Sequence, residues 1–521
     1  MSRVSFLNMR RPTTYTDTRG LSEHQPLFSD VVVTGIAPGG GLFVPTELPD
    51  FALDEILAMA EMPYWRRAAA VFTRFGVDFD ADRVDALMRR AYGRQWDDDR
   101  IAPVEEVVAG VHVLELWHGP TSAFKDMALQ CLPLFFSAAV ERQQARGELT
   151  DDFLVLVATS GDTGKAALEG FADREHTSIV VFYPDGGVSD IQRKQMVTQA
   201  GGNVGVFGVR GNFDDCQSAV KDAFADENFN AWLHGEHRLK LSSANSINWG
   251  RLLPQIAYYV SAYADMVSSG GVKSGEPMDV CVPTGNFGNI LGAYYARLCG
   301  VPIGRLICAS NENNILTDFI ATGVYDISGR DFVNTPSPSM DILVSSNLER
   351  LLYHLAGPHQ VNGWMTELAK HRRFQVDPDT FRAVREILVG DFVTNDESLA
   401  TIRRVHEETG YLLDPHTAVA WEVAERMRGE NPVLVVSTAH WAKFGADVLK
   451  ALLGRPYRDP LPAELADLSG VELLREVLGR AGSCAPIPSG LASLDDMIAR
   501  FTDVVDPGRD GVESAVKGWL G

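Results

Sequence analysis

The chain has 521 residues, of which 45% are hydrophobic and 22% charged, and carries a formal charge of −22 with a pI near 5.0. That is enough chain for more than one buried core, and the composition excludes disorder as the default. An acidic excess of this size disfavours nucleic acid and anionic membrane surfaces as partners, while a few local donors can still hold an anionic small molecule.

The first twenty residues contain no apolar core of the signal-peptide kind, and no run reaches the roughly 18 apolar residues a membrane helix needs. Six cysteines (131, 216, 281, 299, 308 and 484) are scattered without a CxxC pair or a Cys/His cluster. That dispersal argues against a metal site and fits a thiol-reduced, cytoplasmic setting.

In chain order, Gly35–Pro45 is a glycine-rich turn running into a short apolar segment. From Leu53 to Gln95 the pattern is helical, with Ile56, Met59 and Ala60 at i, i+3 and i+4. An alternation follows. Val111–Leu116, Phe153–Ala158, Ser178–Phe182, Val204–Val209, Asp279–Val282, Leu306–Ala309 and Pro432–Val436 read as strands. Lys125–Arg142, Gly164–Phe171 and Asp190–Ala200 read as helices. Unbroken apolar runs such as FLVLVA suit strands buried on both faces. Strands alternating with helices predict an α/β fold with parallel sheets, whose ligands sit in loops at the carboxyl ends of strands. Asp185–Gly187, Ser268–Pro277 and Pro336–Pro338 read as joints. The last seventy or so residues read as helical, interrupted at Pro486–Ser489, and suggest no chemistry.

Five loops hold candidate chemistry. In Leu116–Gln130 a Gly-Pro turn leads to Lys125 at the opening of a helix, where terminal N–H groups disfavour an ammonium. Lysine is usually a solvated surface residue, but Ala123, Phe124, Met127 and Ala128 make this setting apolar. Val282–Gly292 takes a strand through Gly285-Asn-Phe-Gly-Asn289 into a helix, a phosphate cradle or an ordinary tight turn. Its glycines do not match GxGxxG. Ala158–Lys165 resembles a P-loop but fails at Thr159 and Ala166. What remains is a hydroxyl-rich anion site, a helix start capped by Ser160 or Asp162, or both. Ser242–Gln255 offers Asn245, Ser246, Asn248 and the planar fork of Arg251, equally readable as a capped helix with a surface salt bridge. Val433–Phe444 ends a buried strand in Ser437-Thr438, followed by His440 and Lys443, for each of which a structural role is the simpler reading.

Taken together these passages resemble the threonine synthases, a group within the β-family of pyridoxal-phosphate enzymes. The resemblance is carried most specifically by His118-Gly-Pro-Thr-Ser-Ala-Phe-Lys-Asp126, and also by Tyr15-Thr-Asp-Thr-Arg19 and Gly39–Pro45. It extends from about residue 15 to residue 445 and favours the longer microbial and fungal branch. It implies the tryptophan synthase β-like fold, with two parallel-sheet α/β domains and an extra N-terminal region. The expected division is 1–100, largely helical; 101–144 with 241–521, the larger cofactor-binding domain; and 145–240, a smaller mobile domain.

The cofactor it implies is pyridoxal 5'-phosphate, with Lys125 as the Schiff-base lysine beside Phe124. Gly285, Asn286, Phe287, Gly288 and Asn289 would hold the cofactor phosphate, and Thr438 would face the ring nitrogen. Ser160, Gly161, Asp162 and Thr163 would hold a substrate carboxylate. Asn245, Ser246, Asn248 and Arg251 would bind the phosphate of O-phospho-L-homoserine. The implied reaction turns that ester and water into L-threonine and phosphate in a cytoplasmic monomer. Related lyases (a threonine or serine dehydratase, a phospholyase) and a non-catalytic ligand-binding protein are the alternatives. Two letters depart from the pattern. Trp441 stands where the family has proline. Asp162 replaces an asparagine common in the β-family, so backbone N–H groups and hydroxyls, rather than this carboxylate, are expected to meet the substrate.

Overall fold

The computed structural model describes residues 11–482 and 486–521. The leading ten residues and Cys484 lie outside the described residues. The N-terminal region pairs β1 (Tyr15–Asp17) antiparallel with β2 (Phe43–Pro45) around α1 (Phe28–Thr34). It continues through α2 (Leu53–Ala58), α3 (Tyr64–Arg74) and α4 (Ala81–Ala91). Phe28 and Phe72 both meet Phe135, at ring-centroid distances of 5.6 and 5.1 Å. The region is therefore continuous with the main core.

Next come β3 (Val104–Val108), β4 (Val111–Glu115), α5 (Lys125–Leu129) and α6 (Leu132–Ala145). The single helix expected over Lys125–Arg142 is two helices broken at Gln130–Cys131. Pro133 accounts for the break, since it lacks an N–H and fits only the first turn of a helix.

The smaller unit runs β5 (Asp152–Ala158), α7 (Asp162–Phe171), β6 (Thr177–Pro184), α8 (Asp190–Val197), β7 (Val204–Val209), α9 (Phe213–Ala225), α10 (Glu227–Trp232) and β8 (Leu239–Ser242).

The chain then returns to the larger unit with α11 (Trp249–Ser269), β9 (Met278–Pro283), α12 (Gly288–Leu298), β10 (Ile303–Ser310), α13 (Ile315–Thr322) and β11 (Val324–Asp326). It continues with α14 (Leu348–Ala356), α15 (Pro358–His371), β12 (Arg373–Gln375), α16 (Pro378–Ile387) and β13 (Leu388–Phe392). It closes with α17 (Asn395–Thr409), α18 (Pro415–Arg426), β14 (Val433–Ser437), α19 (Gly445–Leu452), α20 (Ala463–Ala466), α21 (Gly470–Ala481) and α22 (Ser489–Ala492). The last elements are β15 (Val504–Val505) and α23 (Arg509–Leu520).

Two sheets organise the molecule. The larger has strand order β13-β10-β9-β14-β4-β3, parallel except for the β3–β4 hairpin. The smaller has order β15-β7-β6-β5-β8 and is wholly parallel. The expectation that all of 241–521 lies in the larger unit is corrected at its end. β15 hydrogen-bonds to β7, and α23 lays Val512, Ala515 and Val516 on the core beside α9. A two-residue strand gives no periodic signal, so the sequence showed only helix there.

α11 passes through the middle of the larger unit and is buried on almost every side, as a core helix must be. Asn248 caps its N-terminus and Gly270 ends it in the left-handed region. Among the described residues no helix is long and apolar enough to cross a membrane.

Candidate active site

The loops singled out in the sequence leave the carboxyl ends of β4, β5, β8, β9 and β14, and the side chains they carry meet between the two sheets. The Phe124 N–H donates to the Thr438 carbonyl at 2.8 Å, and the His440 N–H to the Ser122 carbonyl at 3.1 Å. These bonds clip the Lys125 loop to the end of β14.

Lys125 is buried, at 8% exposure. Its Nζ donates to Ser339 Oγ at 3.0 Å and lies 3.6 Å from Asp162 Oδ2, with the Phe124 ring 5.0 Å away. Burial pushes the amine down to about 8; Arg251 and Lys443 add to that, and Asp162 opposes it. The sequence reading placed the cause in the helix terminus, whereas α5 is a single short turn and desolvation is the larger effect.

Asp162 begins α7 but does not cap it. Its carboxylate accepts from Gln192 Nε2 at 3.0 Å and from Ser339 Oγ at 3.2 Å, and pairs with Lys443 Nζ at 2.9 Å. Burial alone would raise it, but Lys443 and then Lys125 hold it well below the usual carboxylate range. Capping falls instead to Thr159, whose Oγ1 accepts from the N–H groups of Gly161 and Gly164 at 3.0 and 2.9 Å. Those two amides are thereby spent, leaving the half-buried Ser160 and Thr163 as the polar face of the loop. Gly161 stands at φ 130°, and a Cβ there would meet the Gln192 amide at 2.5 Å, so only glycine fits.

Lys443 is fully buried and saturated by three acceptors: Asp162, the Thr121 carbonyl at 2.9 Å and Gln195 Oε1 at 3.0 Å. Below it, Asp126 accepts from the Thr121 N–H and hydroxyl, both at 2.8 Å, with burial raising its carboxyl to about 6. His118 sits between Asp97 (2.6 Å) and Glu115 (2.9 Å). Burial opposes its charge, but these two partners push it up to about 9.

The second half of the site lies at the heads of α11 and α12. Phe287 occupies the left-handed region at φ 64°, turning β9 into α12. The first amides of α12, from Gly288 and Asn289, have no intrahelical acceptor. Asn289 accepts from the hydroxyls of Tyr258 and Tyr259, and its Nδ2 is buried with no partner among the described residues. A Cβ on Gly285 would come within 2.9 Å of the Ser339 carbonyl, so this loop and the Ser339 loop touch. Gly292 serves helix packing instead, since its missing Cβ lets α12 approach the Gln255 carbonyl of α11, which such an atom would meet at 2.9 Å.

Asn347 donates to the Asn286 carbonyl from its backbone (3.2 Å) and side chain (2.9 Å), and reaches Ser246 Oγ at 3.3 Å. It joins the α12 loop to the Ser242–Gln255 loop. Arg251 is buried and donates to the Ala244 carbonyl at 2.8 Å, but its Nε has no partner among the described residues. Burial brings it down to about 10. Among the described residues it makes no salt bridge.

Asn245 is exposed and Ser246 half-buried. Asn248 departs from the expectation of a ligand donor. Its Oδ1 accepts from the Gly250 N–H at 2.9 Å and its Nδ2 donates to the Val32 carbonyl at 2.8 Å, so both ends serve the fold. Trp441 is buried with its Nε1 unpartnered.

These residues fit pyridoxal 5'-phosphate on structural grounds alone. A buried amine lowered to about 8, which gives up its proton far more readily than an exposed lysine, answers its aldehyde. The unpaired Asn289 Nδ2 and the free amides of α12 answer its phosphate. Thr438, directly after β14, is buried and its carbonyl holds the Lys125 loop in place. Sequence reasoning missed Ser339, Gln192 and Asn347, and took Lys443 for a bland residue. Ser339, Gln192 and Asn347 reach the site from distant segments, with no local motif to announce them.

Comparison with known proteins places the chain. The model for the threonine synthase N terminus matches residues 14–92, that for pyridoxal-phosphate dependent enzymes residues 101–439, and that for the threonine synthase C-terminal part residues 417–481. Threonine synthase from Pseudomonas aeruginosa is 37% identical over 93% of this chain and 98% of its own. Human threonine synthase-like 1 is 43% identical over 82% of this chain, which spans 58% of that longer relative. The crystal structure of PLP-bound threonine synthase from Brucella melitensis superposes with a TM-score of 0.82 at 36% identity, covering 97% of this chain and 99% of that one. The chain belongs to the threonine synthase family of pyridoxal-phosphate-dependent enzymes.

Proposed function

We propose that the protein is a threonine synthase that binds pyridoxal 5'-phosphate through Lys125 and converts O-phospho-L-homoserine and water to L-threonine and phosphate. The observation that carries this reading is Arg251: a buried guanidinium, close enough to lower Lys125, whose Nε has no partner and which pairs with no carboxylate among the described residues. A dehydratase acting on a plain hydroxy amino acid has no use for such a cation. An ester whose phosphate leaves does.

When bound, the cofactor supplies the electron sink for carbanion chemistry. Lys125, with its amine at about 8, is poised both to take and to return protons near neutral pH. Ser160 and Thr163, with the loop amides that Thr159 does not take, hold the substrate carboxylate. Arg251, Asn245 and Ser246 hold the ester phosphate, and Arg251 stabilises the charge that grows as phosphate departs. Asn289 and the first amides of α12 hold the cofactor phosphate, with Gly285, Asn286 and Phe287 shaping the turn. Asn248 acts by fixing the start of α11. Asp162 anchors Lys443 and Lys125 rather than touching the substrate.

Asp162 comes from the smaller unit and Lys443 from the larger, so their bond supports closure of the smaller unit over the substrate, excluding water until it is needed. The test is an absorbance spectrum followed by product analysis. The expected result is a visible band that Lys125→Ala abolishes, with phosphate and threonine released one to one. Release of phosphate with 2-oxobutyrate, or no phosphate at all, overturns the assignment.

A further inference from the structure

The Pro336–Pro338 stretch, legible only as a joint, is one of the most firmly fastened loops in the molecule. Asp341 Oδ1 accepts from Asn311 Nδ2 (2.8 Å), Asn313 Nδ2 (2.9 Å) and Thr335 Oγ1 (2.7 Å), and its Oδ2 from the Thr335 N–H (3.0 Å). On the other side the Ser339 N–H donates to His416 Nε2 at 3.2 Å, while His416 Nδ1 faces Asp414 at 2.9 Å. Since Nε2 accepts, the ring proton sits on Nδ1, and Asp414 fixes that tautomer. From below, the absent Cβ of Gly285 lets the Ser339 carbonyl approach. So much fastening holds a single hydroxyl in place. Ser339 Oγ accepts from Lys125 Nζ at 3.0 Å and donates to Asp162 Oδ2 at 3.2 Å.

We propose that Ser339 is a further catalytic residue, the hydroxyl that orients the Lys125 amine and stabilises its ammonium form during proton transfer. The inference rests on the reading of Lys125 as the cofactor lysine. When the amine takes a proton from a substrate carbon, the C–H bond breaks, its electron pair stays on the substrate and a new N–H bond forms. Ser339 Oγ accepts a hydrogen bond from the resulting ammonium, while its own O–H continues to point at the Asp162 carboxylate. No proton leaves this set, and return of the proton to carbon reverses the step. With one N–H held by Ser339, the remaining lone pair or N–H is aimed away from Asp162 and into the site. Direct contact with Asp162 is longer, at 3.6 Å, so the hydroxyl is the principal link between amine and carboxylate.

The experiment uses the cofactor-loaded full chain and follows exchange of the Cα proton of L-threonine in heavy water by NMR, together with kcat, KM and the visible band. Ser339→Ala is expected to keep the band and KM while exchange and kcat fall about ten- to a hundredfold, the worth of one hydrogen bond to a charged group. Ser339→Thr, which restores a hydroxyl, is expected to recover most of the loss. Ser339→Cys, similar in size but a poorer acceptor, is expected to fall between, and decides the matter if the alanine variant does not load. Exchange at the parent rate in a loaded alanine or cysteine variant overturns the proposal, as does a loaded threonine variant no faster than alanine. A parent that exchanges the proton but makes no threonine would overturn the proposed function and leave this comparison intact. A parent that neither exchanges the proton nor makes threonine overturns both.

Discussion

Arg251 shows how far one buried side chain can be interpreted. A guanidinium sealed from water without a carboxylate destabilises the fold, and evolution tolerates such a group where a ligand completes it. Replacing it with methionine, which fills similar space without charge, should leave the thermal stability of the cofactor-loaded protein unchanged or improved. Inorganic phosphate should raise the melting temperature of the parent by mass action and leave Arg251→Met unmoved. Equal stabilisation of both proteins by phosphate would place the anion elsewhere. This residue was legible in the sequence as a planar donor in a polar loop; its burial, which distinguishes an anion site from a salt bridge, was not. Lys125 was legible for a similar reason, because strand, Gly-Pro turn and apolar helix start are contiguous text. Ser339 and Gln192 were not, since the sheet order and the packing of α7 on α8 bring them in from far along the chain.

At the scale of elements, the strands of the two sheets that read clearly were those with unbroken apolar runs, such as β5 and β6. The ones that escaped notice have physical reasons for doing so. β3 is half-exposed and carries two glutamates, β8 has only four residues, and β13 contains a glycine and an aspartate. Helix starts were harder still, because capping depends on which neighbour a side chain finds. Asn248 illustrates this: it closes the first turn of α11 and also holds the Val32 carbonyl of α1. Asn248→Ala should therefore cost about 2 kcal/mol, roughly one for the cap and one for the second hydrogen bond. The exposed Asn245→Ala should leave the melting temperature nearly unchanged. Comparing the two by thermal denaturation tests the division of labour within this loop. A similar cost for both would mean that Asn245 too is committed to the fold.

For the molecule as a whole, the α/β class and the order of the site loops were legible from the alternation of strands and helices, while the division into two parallel-sheet domains was what the family resemblance implied. The attachment of the final segment was not legible. After α22 the chain crosses back to the smaller unit. The Arg500 N–H donates to the Val197 carbonyl at 2.7 Å, and its guanidinium reaches the Gln199 carbonyl at 2.6 Å. β15 then covers the edge of β7, and Trp519 lies against Gly205, where a Cβ would meet its indole at 3.1 Å. Deleting residues 503–521 should raise hydrogen exchange in β7 and α9 and leave the six-stranded sheet protected. Loss of protection throughout, or in neither sheet, would show that this segment is not a component of the smaller unit alone.

The same attachment bears on how the protein is made. β7 emerges from the ribosome long before the residues that cover it, and most of the larger unit, from α11 to α21, is synthesised in between. Until β15 and α23 arrive, the five-stranded sheet is incomplete, with an open parallel edge and an uncovered apolar helix face, features that invite wrong pairing. The smaller unit therefore finishes folding only after the larger one has been made. Its vulnerable period is set by the rate of translation rather than by any step within its own sequence.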